Sequence, residues 1–126
     1  MPTETVLQIE HSPGMLSERR AILEPLGYNV ISVLGFTDAL DGSLLRQPIG
    51  VVVIGHGASW VDRQDLIAHF REALPGVPIV ALLRRSDLGF DGVDYNCPGD
   101  NPSLWIRTVA QALAKGRERR FSSPPE

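Results

Sequence analysis

Cysteine is almost absent from this chain: its 126 residues contain only Cys97, so no internal disulfide can form. A single cysteine fits a reducing compartment. Long apolar runs are also missing, since no stretch approaches the roughly 20 residues needed to cross a bilayer. The N-terminal MPTETVLQIE lacks the basic-then-apolar order of a signal peptide. We therefore expect a soluble, cytoplasmic protein that does not contact membranes.

An excess of positive charge is missing as well. The formal net charge is −3 at pH 7, which argues against nucleic-acid binding as the main role. The length fits one domain, and the sequence contains no internal repeat and no interdomain linker. We expect the domain to cover residues 1–116, with Gly116 at the end of the last helix. Residues 117–126 are expected to form a flexible tail.

The chain does contain a regular alternation of short apolar runs and amphipathic segments. The apolar runs predict five strands, at residues 5–9, 28–33, 51–54, 78–83 and 93–97. The amphipathic segments predict helices that begin after Ser12, near Phe36, after Ser59 and at Asn101. Strands that alternate with helices indicate an α/β fold, in which a doubly wound parallel sheet is covered by helices on both faces.

The connection between the fourth and fifth predicted strands is unusually short. Only nine residues, RRSDLGFDG, separate Leu83 from Val93, and two of them are glycines. A parallel crossover that contains a full helix needs at least about 10–12 residues. We therefore expect this helix to be shortened or absent.

The order and spacing of these segments resemble a response-regulator receiver domain of the CheY-like family. The resemblance covers residues 5–114 and is carried by TVLQIEHSP, LGYNVISV, PIGVVVIGHG, DLIAHFREALPGVPIVAL and NCP. It implies a three-layer, flavodoxin-like fold with the strand order 2-1-3-4-5 and a site at the C-terminal ends of the strands. The helix expected to be missing belongs to the face through which such domains usually signal.

The chemistry implied by the family is phosphoryl transfer to an aspartate after the third strand. An acidic pair after the first strand holds Mg²⁺, and a hydroxyl and a lysine contact the phosphoryl oxygens. In this sequence Gly55 stands at the acceptor position, and His56 follows it. Glu10 matches the first acid, but His11 stands at the second, where imidazole is a poor ligand for Mg²⁺.

The two remaining positions of the family's chemistry also depart from the pattern. Leu83 stands where a hydroxyl is needed, and Cys97 stands where a lysine is needed. We interpret the chain as a degenerate receiver, or pseudo-receiver, without catalytic residues, cofactor or metal. The expected role is a stand-alone module of a two-component or phosphorelay pathway that contacts a protein partner without phosphorylation. It is expected to be a monomer or weak homodimer, without enzymatic activity and without nucleic-acid binding.

Other uses of the remnant pocket stay open at this point. Glu10, His11, His56 and Cys97 are residue types that bind transition metals, although no two of them have a paired ligand spacing. His56 is also a candidate non-standard phospho-acceptor. Two neighbouring arginines after the fourth strand are candidates for binding a small anion.

The predicted partner-binding surface lies at the same end of the sheet. Trp60 and Phe90 fall in predicted loops there, and Arg84 and Arg85 begin the short crossover. Tryptophan and arginine contribute binding energy at protein interfaces more often than most residue types. We predict that these four residues contact the partner. For the two aromatic residues, inward folding over the shortened crossover is an equal alternative.

Overall fold

A computed structural model describes residues 4–122 of the chain. The strands are β1 (Thr5–Glu10), β2 (Asn29–Leu34), β3 (Val51–Ile54), β4 (Ile79–Leu83) and β5 (Tyr95–Pro98). The α-helices are α1 (Pro13–Leu23), α2 (Phe36–Ala39), α3 (Trp60–Ala73) and α4 (Pro102–Ser122). Two 3₁₀ helices, Glu24–Leu26 and Gly42–Arg46, follow α1 and α2. Every predicted strand is present, with ends that differ by at most two residues.

The five strands form one parallel sheet in the order β2-β1-β3-β4-β5, as predicted. The central strands β1 and β3 are buried along their whole length. A parallel strand covered on both faces needs a continuous apolar run, which VVVI supplies for β3. The C-terminal ends of β1, β3, β4 and β5 therefore meet at one edge of the sheet.

Each face of the sheet has its own hydrophobic core. Val52 and Ile54 pack on the side of α2 and α3, against residues such as Leu66 and Phe70. Val51 and Val53 pack on the side of α1 and α4, in the cluster that contains Trp105. Successive side chains of a strand point to opposite faces, so this alternation gives the three-layer arrangement.

The N-terminal end of α1 follows its sequence signals closely. The hydroxyl of Ser12 accepts a hydrogen bond from the amide of Met15, and Pro13 occupies the first helical position. The predicted second helix, by contrast, is split into the four residues of α2 and a 3₁₀ segment that begins at Gly42. Glycine in a helix interior is unfavourable, which accounts for the interruption.

The connection from β4 to β5 contains no helix in residues 84–94, as the short spacing predicted. The predicted end of the last helix, however, is wrong. Helix α4 does not end at Gly116 but continues to Ser122. A Cβ atom at Gly116 would lie 3.0 Å from Cδ of Pro78, so this glycine allows close packing of α4 rather than ending it.

The extension of α4 is tied to the domain by charged contacts. The guanidinium of Arg117 donates to the carboxylate of Glu4 at 2.6 Å, and Arg119 donates to Asp94. Residues 123–126 of the predicted tail lie outside the described residues. Within residues 4–122 no helix has the length and apolarity that a membrane span requires.

Candidate functional site

The polar residues predicted for the site do follow the C-terminal ends of adjacent strands. Glu10 is the last residue of β1, and Gly55 is the first residue after β3. The backbone amide of Gly55 donates to the carbonyl of Ile9 at 2.8 Å, which brings Gly55 directly beside Glu10. The parallel pairing of β1 with β3 therefore places Glu10 next to Gly55 at this edge of the sheet.

The side chain of Glu10 is buried in this pocket and forms an ion pair with Arg19 of α1. The distance from Arg19 Nη1 to Glu10 Oε2 is 2.7 Å, and both side chains are at most 3% exposed. The other carboxylate oxygen, Oε1, accepts a hydrogen bond from the backbone amide of His11 at 2.8 Å. Both oxygens of the only acid that matches the family pattern thus have partners within the protein.

Two glycines make room for this ion pair. A Cβ atom at Gly55 would lie 2.0 Å from Glu10 Oε2 and 2.7 Å from Arg19 Nη1. A Cβ atom at Gly57 would lie 2.0 Å from Glu10 Oε1. Non-bonded atoms cannot approach this closely, so the Glu10 carboxylate and a side chain at either position exclude each other. The segment GHG therefore forms a cradle around the carboxylate.

His56 stands between the two glycines, half-buried beside the loop that precedes α4. Its ring packs closely on the backbone there, since a Cβ atom at Gly99 would lie 2.5 Å from His56 Cδ2. Burial, followed by the positive charge of Arg19, lowers the pKa of His56 below its usual value. His56 is therefore neutral at neutral pH.

Leu83 and Cys97, the two remaining residues predicted for the pocket, lie on opposite faces of the sheet and offer it no polar chemistry. Leu83 packs on the α2/α3 side of the sheet, whereas Cys97 is buried in the core on the α1/α4 side. The thiol of Cys97 accepts a hydrogen bond from the Thr108 hydroxyl at 3.5 Å. Burial nevertheless raises the pKa of the Cys97 thiol, so it is protonated at neutral pH.

A metal centre built from the predicted ligand set has no geometric support. In residues 4–122 no group of three or more histidine, cysteine, aspartate or glutamate side chains is placed to hold a metal ion. Glu10 is bound to Arg19, and Cys97 belongs to the hydrophobic core. The four candidate ligands follow neighbouring strands, but they do not converge on one point.

No family model matches this chain, and no curated protein matches it. Solved structures of receiver domains, by contrast, do match it. A CheY-like receiver domain from Methanospirillum hungatei has a TM-score of 0.81 at 14% identity and covers 93% of this chain and 98% of its own. The receiver domain of an HD domain-containing protein from Pseudomonas fluorescens has a TM-score of 0.83 at 18% identity and covers 98% of this chain and 96% of its own. A receiver domain from Methylobacillus flagellatus has a TM-score of 0.73 at 21% identity and covers 89% and 99%.

This chain has the CheY-like receiver fold. At sequence identities of 14–21%, the similarity to these structures shows the fold and nothing beyond it.

Within this fold, the short crossover of residues 84–94 is folded onto the start of α3. Arg63 donates two hydrogen bonds to Asp87, at 2.8 and 3.0 Å, and the backbone amide of Arg84 donates a third at 2.7 Å. These contacts lower the pKa of Asp87 to about 2, with the hydrogen bonds from Arg63 as the largest cause.

The sequence left open whether Phe90 is exposed or folds inward, and in the structure it folds inward over the short crossover. Phe90 is 4% exposed and stacks on Trp60 with 4.0 Å between the ring centroids. Its backbone exchanges two hydrogen bonds with the amide side chain of Asn96. With no helix here to cover the core, Phe90 covers it instead. It is therefore unavailable as a partner contact.

The other three predicted contact residues do reach the surface. Trp60 is 37% exposed, and the side chains of Arg84 and Arg85 are 47% and 94% exposed. Leu88, which was not predicted as a contact residue, is 98% exposed. It sits between Asp87, which Arg63 holds, and Gly89, whose φ of 95° favours glycine. This turn points a large apolar side chain into solvent.

Two buried arginines, Arg19 and Arg63, were not predicted either, although the sequence contains a signal for each. Arg19 lies on the buried face of α1 with Leu16 and Leu23, at helical spacing. Arg63 lies on the buried face of α3 with Leu66 and Phe70 in the same way. An arginine on an apolar face needs a buried acceptor, so this pattern would have pointed to carboxylates such as Glu10.

Proposed function

We propose that this chain is a degenerate receiver domain that acts in signal transduction through phosphorylation-independent contact with a protein partner. The receiver fold supports the signalling role. One observation carries the rest of the proposal: the Glu10 carboxylate, paired with Arg19, fills the space beside Gly55 that an acceptor side chain would need. No enzymatic role is proposed.

Several features argue against an aspartyl-phosphate cycle at this site. Phosphoryl transfer needs a nucleophile together with cations or hydrogen-bond donors that stabilise the charge that develops. Gly55 has no nucleophile, Leu83 has no hydroxyl, and Cys97 is a buried neutral thiol. The positive charge nearest to Gly55, that of Arg19, is already paired with Glu10.

Metal binding and phosphorylation of His56 have less support than protein contact. Glu10 is committed to its ion pair, which removes the best ligand from the metal set. His56 is half-buried, and Leu83 and Cys97 supply neither the hydroxyl nor the cation that would stabilise a transferred phosphoryl group there.

The partner is proposed to bind the surface formed by Trp60, Val61, Arg84, Arg85 and Leu88, which we call the crossover surface. Val61 is 61% exposed and follows Trp60 at the start of α3. Apolar side chains next to two arginines fit a partner that offers an apolar pocket with acidic groups at its rim. The contacts of Asp87 hold the turn in place, so little ordering entropy opposes binding.

The first experiment is treatment with acetyl phosphate in the presence of Mg²⁺. Intact-mass spectrometry is expected to find no phosphate adduct, while a receiver domain that has the acceptor aspartate gains one in parallel. The Gly55→Asp variant is also expected to remain unmodified, because its side chain collides with Glu10 and because Leu83 and Cys97 still lack the hydroxyl and the cation. A stoichiometric adduct on the wild-type chain would overturn the proposal.

The second experiment tests the crossover surface. A partner is captured from the native host by cross-linking, and its affinity is measured for Leu88→Ser, Trp60→Ala and Arg85→Ala variants. Leu88→Ser is expected to weaken binding about tenfold or more, as for an interface hot spot. Leu26→Ser is the matched control, because Leu26 is also exposed, at 53%, but lies on the 3₁₀ helix after α1. Wild-type affinity in all three test variants would place the interface elsewhere, with the exposed sides of α1 and α4 as the next candidates.

A further inference from the structure

The outer edge of strand β2 is open. β2 is the first strand in the sheet order, and in the described part of the chain it pairs with β1 alone. The backbone amides of Asn29 and Gly35 donate to carbonyl groups on the β1 side, at 2.9 Å each. Backbone groups alternate in direction along a strand, so Val30, Ser32 and Leu34 direct their N–H and C=O groups outward, away from the sheet.

This edge lacks the features that commonly block the addition of another strand. Such features are charged side chains, prolines and β-bulges. The thirteen residues between Glu24 and Asp38 carry no charge, and β2, with the sequence NVISVL, contains no proline. Its register with β1 is continuous over all six residues, without a bulge. An edge of this kind is a template for pairing with a further strand.

Exposed apolar side chains accompany this edge. Residues 4–122 expose seven large apolar side chains, and three of them belong to the crossover surface. The other four have exposed fractions between 38% and 53% and lie on the segments that precede, form and follow β2, at Leu26, Leu34, Leu40 and Leu45. Exposed apolar side chains beside an open strand edge indicate an interaction site.

The sequence of β2 pairs favourably with a second copy of itself. In an antiparallel pair centred on Ser32, this residue lies opposite Ser32 of the second copy, and Val30 lies opposite Leu34. All three residues direct their backbone groups outward, so each exchanges both hydrogen bonds with the residue opposite. Ile31 lies opposite Val33. Apolar and β-branched side chains thus face each other across the strands, which stabilises a sheet.

The absence of charge favours a second copy over a charged partner. Two copies of a chain with a net charge of −3 repel each other, and the repulsion is least where the contact surface itself carries no charge. A basic or acidic partner gains no ion pair along this strand. Two-fold pairing also uses the same edge on both copies and leaves no β2 edge open, so the assembly closes as a dimer.

We propose that this chain forms a homodimer in which β2 pairs in antiparallel orientation with β2 of a second copy. The two sheets then form one continuous sheet. The contact covers Leu34 and brings the segment that contains Leu26 toward the segment that contains Leu40 in the second copy. β1 and β3 separate β2 from β4, so the dimer leaves the crossover surface free. The proposal does not depend on the proposed partner contact.

Sedimentation-velocity ultracentrifugation of the full chain, from micromolar to millimolar concentration, measures the dimer. The wild type is expected to shift from the mass of one chain to the mass of two as the concentration rises. Leu34→Lys is expected to raise the dissociation constant about tenfold or more, because it places a charge in the interface. Leu34→Pro is expected to do the same, because it removes an outward N–H group and leaves the hydrogen bonds to β1 in place.

The matched control for these variants is Leu88→Lys. Leu88 is 98% exposed but belongs to the crossover surface, so its substitution is expected to leave the dissociation constant unchanged. Circular dichroism checks that each variant is folded.

A thiol cross-linker tests the antiparallel register. Ser32 lies on the two-fold axis, so Ser32→Cys places two thiols next to each other, and a short bismaleimide is expected to join the two chains. Asn29→Cys is the matched control, because the two residues at position 29 are about 20 Å apart in this register. The native Cys97 is buried and is not expected to react.

Each outcome supports or overturns the proposal. A wild type that remains monomeric at millimolar concentration overturns it. A dimer that neither Leu34 variant weakens, or that Leu88→Lys dissociates instead, would place the interface elsewhere. Equal cross-linking of Ser32→Cys and Asn29→Cys would overturn the register. If one Leu34 variant fails to fold, the other variant and the cross-linking decide.

Discussion

Substitution of Gly55 by alanine tests the central feature of the pocket. The added Cβ would lie 2.0 Å from Oε2 of Glu10 and 2.7 Å from Nη1 of Arg19. The carboxylate is held in place by Nη1 of Arg19 and by the backbone amide of His11, so moving it breaks both hydrogen bonds. Alanine at position 55 should therefore displace Glu10 and leave the buried guanidinium of Arg19 without its partner.

The expected loss follows from the burial of both charges. Removal of one partner from a buried ion pair costs about 3–5 kcal/mol. Since single domains have a free energy of unfolding of about 5–15 kcal/mol, Gly55→Ala should remove a large part of the stability. Urea unfolding, followed by circular dichroism, measures this loss.

The control and the double mutant separate the clash from other effects of alanine. Gly42 has open space around its Cβ position within the described part of the chain, so Gly42→Ala should change stability by less than about 1 kcal/mol. In a Glu10→Ala background, Gly55→Ala should cost much less than in the wild type, because the clashing carboxylate is gone. A loss below about 1 kcal/mol in the wild type, or an equal loss in both backgrounds, would refute the reasoning.

Three further predictions concern the crossover and the buried thiol. The pKa of Asp87 falls from 3.8 to about 2, so its contribution to stability is complete above pH 4 and is lost as the pH falls toward 2. The difference in free energy of unfolding between wild type and Asp87→Asn, measured in urea, should shrink by about 2 kcal/mol over that interval; a constant difference contradicts the pairing with Arg63. Leu88→Ser should leave stability within about 0.5 kcal/mol of wild type, whereas Phe90→Ala should lower it by about 3–5 kcal/mol; similar losses would contradict their opposite burial. Cys97 should react with iodoacetamide only after unfolding, as followed by mass spectrometry, and fast labelling of the folded protein would contradict its burial.

The strands were predictable because each strand carries its own signal, whereas their order followed from the resemblance to receiver domains. Runs such as VVVI indicate buried strands on their own, and the short crossover with its two glycines predicted a shortened or absent helix between β4 and β5. The end of α4 was not predictable in this way. Glycine often ends a helix, so Gly116 was predicted as the end of α4. Contacts with Pro78 and Glu4, which are far away in the sequence, stabilise the helix at and beyond this residue.

Only part of the site was predictable, because some of its contacts are made by residues on other elements of the fold. The strand ends placed Glu10 and Gly55 at one edge, but the partner of Glu10 comes from α1 and depends on the face that Arg19 occupies. The position of Phe90 stayed open because nothing local shows whether an aromatic residue in a loop covers a core. Its stacking on Trp60 is decided by the tertiary structure.

The GHG cradle also constrains how this sequence can evolve. Any side chain at position 55 collides with Glu10, so no single substitution there can introduce a carboxylate while the buried ion pair remains. The pair would have to be lost first, and the intermediate would carry an unmatched buried charge that reduces stability. Natural proteins tolerate little loss of this kind, since they lie close to the stability that function requires. The buried ion pair therefore favours glycine at position 55 for as long as both Glu10 and Arg19 are present.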